Sequence, residues 1–212
     1  MKFKNLKILS IFILFPLVLT AEQCQKSEKN STELKQSNQL IKTGRKTMQE
    51  VVVLKTRHGE MVIALFPELA PKHVESFKKL IQEKFYDNTT FHRVIPGFMI
   101  QGGDPLSKDP ARRAAHGTGG PGYSLPAEFS DMSHTRGIVS AARSSDPNSA
   151  GSQFFICVSD APHLNGQYTV FGKVVEGMDV ADKIVNEKRD PRDNPVERVE
   201  ITASLESREV EL

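Results

Sequence analysis

Residues 91–104, FHRVIPGFMIQGGD, set one arginine and one glutamine among apolar side chains, and that mixture is where chemistry could sit. If residues 90–95 and 98–101 are strands joined at Pro96-Gly97, alternation sends Phe91, Arg93 and Ile95 to one face of the first strand. In the second, Phe98 and Ile100 oppose Met99 and Gln101. A guanidinium beside apolar groups is costly unless it meets a partner or faces water at a cleft. Two readings stand: a charged donor in a cleft, or an arginine whose stem covers apolar surface while its head stays wet. Similar mixtures recur in residues 151–158, GSQFFICV, and 163–174, HLNGQYTVFGKV. Spacing assigns no reaction to any of the three.

Other chemistries find less support. The histidines His58, His73, His92, His116, His134 and His163 show no HxxxH or HxH spacing, so no metal site is expected. Residues 117–122, GTGGPG, match GxGxxG. Pro121 lies inside the match, however, and no helix signal follows, whereas a phosphate loop must open a helix. The stretch reads as a tight turn lining a groove where backbone approaches a ligand. Ser152 lacks the GxSxG elbow of a nucleophilic serine. Cys157, in FFICV, reads as a buried small hydrophobe, and with Cys24 as its only companion it builds no disulfide framework, zinc set or CxxC pair.

The elements that must position these residues follow from periodicity. Residues 50–57 and 60–66 are β-branched-rich runs around His58-Gly59, a hairpin signal. Residues 71–85 place Val74, Phe77, Leu80 and Ile81 at helical spacing behind Pro71. Short strand-like runs cover 90–95, 98–101, 137–142, 153–158 and 168–175; a second helix fits 178–188 and a returning strand 196–205. The expectation is a mainly β fold, a closed antiparallel barrel of seven or eight strands capped by two helices, since closure removes exposed edges.

A chain of 212 residues suits one domain with appended segments, at about 150 residues per domain. A formal net charge of +2 is too balanced for a nucleic-acid groove. Residues 1–23 read as a signal peptide, with Lys2, Lys4 and Lys7 before an apolar run over 8–19 that is too short to span a bilayer comfortably. Ala21 offers a small residue for cleavage. Cys24 stands where a bacterial lipoprotein is acylated, although Glu22 and Gln23 precede it in place of small apolar residues. Polar residues 24–49 read as a disordered tether, leaving 50–212 as the folded domain. Export to the periplasm, or lipid anchoring to the cell envelope through Cys24, is the expected destination. Contact with membrane is expected only through that lipid.

Taken together, FHRVIPGFMIQGGD, GTGGPGY, GSQFFICV and LNGQYTVFGKVVEGMDV resemble the cyclophilin family of peptidyl-prolyl cis-trans isomerases, over about residues 50–205. The resemblance implies an eight-stranded barrel with two capping helices, and catalysis without metal, nucleotide, other cofactor or covalent intermediate. It implies a monomer acting on proline-containing polypeptides and assisting the folding of exported or envelope proteins. By position, Arg93 matches the catalytic arginine, Phe98 and Met99 the floor of the proline pocket, and Gln101 the amide that binds substrate backbone. Ala142 matches the residue whose backbone meets the peptide, and Phe155 and Leu164 further walls. His163 stands where many members have Trp, which implies weaker cyclosporin binding, and Tyr168 where many have His. Residues 104–117 exceed those of compact members and add Arg112 and Arg113, so the groove rim is expected to differ in reach and charge.

Overall fold

The computed structural model describes residues 47–211. The expected signal peptide, Cys24 and the tether up to residue 46 lie outside the described residues. In chain order the elements are β1 (Thr47–Thr56), β2 (Gly59–Leu65), α1 (Pro71–Gln82), β3 (Thr89–Thr90), β4 (Arg93–Ile95) and β5 (Met99–Gly102). There follow β6 (Ile138–Ala141), β7 (Phe154–Cys157), β8 (Val170–Glu176), α2 (Met178–Val185) and β9 (Glu200–Val210). Short 3₁₀ turns occupy Pro105–Lys108, Pro110–Ala115 and Pro162–Leu164.

The opening hairpin pairs Val53 with Val62 and Lys55 with Glu60, and Gly59 takes a φ of 126° that only glycine adopts without strain. β1 begins at Thr47, which pairs with Val210, so residues 47–49 belong to the sheet. α1 starts on Pro71 and stops at Gln82 rather than at 85, because Lys84 turns left-handed (φ 58°). The Phe85 N–H then reaches back to the Leu80 carbonyl at 2.9 Å and satisfies a terminal acceptor.

The expected closed eight-stranded barrel is not what forms. Among the described residues nine strands make one antiparallel sheet in the order β3-β9-β1-β2-β8-β6-β7-β5-β4, and no pairing among them joins its two ends. The cause is local. The run expected as one strand over 90–95 breaks at Phe91-His92, where the backbone stops bonding to strands: Phe91 N–H donates to the Val199 carbonyl at 3.0 Å and Val94 N–H to the Asp193 carbonyl at 2.8 Å. β3 pairs with β9 and β4 with β5, so two short edges stand where a seam would lie. Both are covered instead of closed. The loop bearing Asp193 lies on β4, and the Ser107 hydroxyl accepts the Thr90 N–H at 2.8 Å. Short, covered edges solve the same problem of exposed backbone donors and acceptors that closure would have solved.

The break also changes which way Phe91 points. Phe91 does not share a face with Arg93; it is fully buried in the core, its ring 6.1 Å from Phe154. That core is strongly aromatic: Phe77 of α1 packs its ring 5.0 Å from Tyr86, 5.4 Å from Phe154 and 5.1 Å from Phe171. α1 therefore lies against the sheet through the buried stripe that its helical spacing announced. Phe154→Ala should cost about 3–5 kcal/mol in urea unfolding, because three rings, Phe77, Tyr86 and Phe91, lose a common partner. A loss below about 1 kcal/mol would mean this cluster does not organise the core.

Candidate functional site

Cross-strand register builds the site. Arg93 on β4 sits opposite Gln101 on β5, Gln101 opposite Phe155 on β7, and Phe155 opposite Ser140 on β6. One step along, Ile95 faces Met99 and Met99 faces Cys157. Strand alternation puts both rows on the face away from the aromatic core. Met99, Phe155, Cys157, Ala161 and Leu164 form a second buried cluster, rimmed by the partly exposed Ile95, Phe98, Ala142 and Tyr168. Over it opens a groove of about 760 Å³, and every residue expected at the site lines it: Arg93, Phe98, Met99, Gln101, Ala142, Phe155, His163, Leu164 and Tyr168.

The polar side of the groove is a relay of amides. Arg93, exposed to solvent, donates from Nη1 to Gln101 Oε1 at 3.3 Å. Gln101 Nε2 donates to Gln153 Oε1 at 2.9 Å, and Gln153 Nε2 to the carbonyls of Gly117 and Gly119 at 3.0 and 2.8 Å. Gln153 was not among the expected site residues, although it shows the signal that marked Gln101, an amide beside an apolar strand. The glycine-rich stretch is a loop at the groove, as expected, and Asp104 holds it by accepting the N–H groups of Leu106 (2.8 Å) and Gly117. A Cβ at Gly119 would lie 2.2 Å from Asp104 Oδ1, so this approach requires glycine.

The apolar side is held by rings. His163 lies 5.4 Å from Phe98, and Tyr168 stands edge-on to Phe155 at 5.7 Å. The Arg143 guanidinium covers Tyr168 at 4.6 Å while donating to the carbonyls of Gln167 (3.0 Å) and Ser144 (2.9 Å). Behind Phe155, His134 stacks at 6.2 Å, with Ser140 Oγ at 2.9 Å and Asn165 Oδ1 at 3.2 Å from its two ring nitrogens. Burial lowers its pKa, against a smaller opposing effect of the Asn165 bond, so a neutral ring supports the pocket wall. Burial pushes the Cys157 thiol up to about 12, which makes it a packing residue with no thiolate to offer.

A second wall, beyond Arg93, was not foreseen as a unit. It joins the 3₁₀ turn Pro110–Ala115 to residues 189–194, and places Arg113, His116, Asp190, Arg192 and Asn194 on the groove. Only Arg113 had been singled out in the sequence. The other segment, ten residues before β9, gives no periodic signal. Among the described residues no three His, Cys, Asp or Glu side chains are grouped to hold a metal ion.

His92, next to Arg93, is 4% exposed, and burial lowers its pKa from 6.5 to about 4, the charge of Asp104 opposing only in part. Between pH 6.5 and 4 the unfolded chain therefore binds a proton that the folded protein refuses, and stability falls as pH falls through that window. Wild type should lose of order 2 kcal/mol more than His92→Gln between pH 7 and 4.5 in denaturant unfolding. Equal losses would show that His92 is not held neutral.

Comparison with known proteins agrees with this geometry. The family model described as cyclophilin type peptidyl-prolyl cis-trans isomerase/CLD matches residues 51–205. A probable peptidyl-prolyl cis-trans isomerase of Brucella suis is 55% identical over 140 residues, 64% of this chain and 71% of the relative. A peptidyl-prolyl cis-trans isomerase of Synechococcus elongatus is 44% identical over 144 residues, 64% of this chain and 93% of that one. The crystal structure of a Cryptosporidium parvum cyclophilin type isomerase, in the presence of the dipeptide Ala-Pro, superposes with a TM-score of 0.68 at 34% identity. It covers 74% of this chain and 99% of its own.

Proposed function

The chain belongs to the cyclophilin type peptidyl-prolyl cis-trans isomerases, and from that premise we propose that Arg93 is its catalytic residue. The activity is rotation about X-Pro bonds. Amide resonance opposes that rotation by about 18–20 kcal/mol, and uncatalysed exchange takes tens to hundreds of seconds. Bringing exchange from about 100 s to about a millisecond is a factor near 10⁵, or about 7 kcal/mol.

The observation that carries the assignment is a solvent-facing guanidinium at the mouth of an apolar pocket, steadied by an uncharged amide. As the bond twists, the proline nitrogen pyramidalises and becomes a better acceptor. Arg93 can donate to it, or to the adjacent carbonyl, and so favour the twisted state over both planar ones. Phe98, Met99, Phe155 and Leu164 hold the proline ring still while the preceding carbonyl swings. Gln101 meets the substrate backbone. The Ala142 N–H is spent on the Gln153 carbonyl at 2.9 Å, so peptide backbone meets Ala142 at its carbonyl. His163 and Tyr168 close the rim, and His163, in place of the larger indole, leaves the pocket's outer end more open. Arg93→Ala should lower kcat/KM on an Ala-Pro peptide at least tenfold with an unchanged melting temperature, as NMR exchange spectroscopy and circular dichroism would read. Equal activity would remove Arg93 from the mechanism.

We also read residues 1–23 as an export signal and those that follow as a tether, ending where the sheet of the catalytic domain opens at Thr47. The basic and then apolar order of the first residues supports this. The clients are then exported or envelope proteins, reached in the periplasm or from a lipid at Cys24, where slow X-Pro steps limit folding without help from ATP. Cys24→Ser should move the protein from the detergent phase to the aqueous phase in a phase-partition assay. Unchanged partitioning would exclude the lipid anchor.

A further inference from the structure

Half of the groove has no part in gripping proline, and we propose that it selects X-Pro segments with an acidic side chain beside the proline, read chiefly by Arg192. This rests on the isomerase reading of the same groove and names the substrates that reading leaves open.

The argument begins with charge. Among the described residues four arginines line the groove, Arg93, Arg113, Arg143 and Arg192, against a single carboxylate, Asp190. Asp190 is already engaged, 2.9 Å from Arg113. The other three guanidiniums meet only neutral oxygens among the described residues. Arg93 donates to the Gln101 amide, Arg143 to backbone carbonyls, and Arg192 to the Ala114 carbonyl at 2.7 Å. The whole chain carries a formal net charge of only +2, so this excess is a property of the groove. A concave surface of one sign, with apolar walls, focuses its field on what enters.

The wall is also built to hold its shape. Arg113 donates to Asp190 at 3.0 Å and to the carbonyls of Asn194 and Pro195 at 2.9 and 2.8 Å. Asn194 Nδ2 meets His116 Nδ1 at 3.0 Å, and His116 Nε2 meets the Asp109 carbonyl at 3.1 Å. The Val94 N–H, one residue from Arg93, bonds the Asp193 carbonyl at 2.8 Å and fixes the wall's position relative to the catalytic strand. Arg113 is consumed in this framework, whereas Arg192 is exposed and uses only Nη1, which leaves a planar fork for a carboxylate. A polypeptide whose proline sits over Phe155 and Met99 must run past this wall or past Arg143. An acidic neighbour gains on either side, and a lysine is repelled on both.

The test is kcat/KM, by NMR exchange on the full chain, for three peptides differing only beside proline, with Glu, Gln or Lys. Wild type at low salt should prefer Glu over Gln by about three- to tenfold, with Lys slowest. The preference should collapse at 1 M salt, where the screening length is about 3 Å. Arg192→Gln retains a donor for the Ala114 carbonyl but not the charge. It should cut the Glu-over-Gln ratio at least threefold while the Gln peptide stays within twofold of wild type; Arg192→Lys, which keeps the charge but not the fork, should retain only part of the ratio. Equal rates for all three peptides in wild type, or a ratio indifferent to Arg192, would overturn acidic selection and leave the isomerase intact. Failure of wild type to accelerate even the Gln peptide would overturn the underlying reading instead.

Discussion

The register of β4 on β5 and of β5 on β7 is the constraint from which both the core and the groove follow. With Arg93 opposite Gln101 and Gln101 opposite Phe155, the intervening Val94, Ile100, Phe154 and Ile156 all fall to the aromatic side and are buried. A slip of one residue would exchange the faces, driving a guanidinium into the core and Ile100 into water. Pro96-Gly97 guards against that slip by fixing the loop length, with Gly97 at a φ of 74°. Folding and chemistry are therefore specified by one offset. The interactions that hold the core in place are the ones that aim Arg93.

Three of the four groove arginines have surroundings unlike those of the paired arginines elsewhere on the surface, Arg113 with Asp190 being the exception. Outside the groove, arginines meet carboxylates: Arg136 with Asp182, Arg57 with Glu197 and Arg208 with Glu206, each at 2.7 Å. Inside it, Arg93, Arg143 and Arg192 are steadied by amides and backbone carbonyls. A carboxylate at position 101 would orient Arg93 equally well and would also neutralise it. An amide orients without quenching, because it offers a dipole and no countercharge. The relay through Gln153 to Gly117 and Gly119 extends the same solution to the loop, tying rim to floor with neutral groups throughout.

The apolar strands and both helices were legible in the sequence, because periodicity reports directly on which face is buried, whereas the residues of the proline pocket came only with the resemblance. Alternation set Gln101 and Met99 apart from Ile100 on the second strand but grouped Phe91 with Arg93 on the first, and the helical stripe of α1 named the side chains that pack. The role of Arg93 was not legible from spacing and came only with the resemblance of four motifs. Two things escaped periodicity for a common reason. The interruption at Phe91-His92 and the wall over residues 189–194 are both settled by backbone bonds to partners distant in sequence, Val199 and Asp193 for the one, Arg113 and Ala114 for the other. Tertiary hydrogen bonding of that kind leaves no repeat to count. It converted an expected seam into two covered edges.

Those covered edges have an implication for how such a molecule can change. In a closed ladder every residue on the seam answers to two strands, and lengthening it breaks pairing on both sides. Here the segments lying over β3 and β4 are loops and 3₁₀ turns whose obligation is to supply a few acceptors at the right places, and the entropic cost of a longer connection grows only slowly with its length. The sheet thus leaves a mutable margin directly beside its most constrained residue. Insertions there can alter the groove's breadth and charge while the offset that aims Arg93 stays untouched, so recognition and catalysis are free to diversify at different rates.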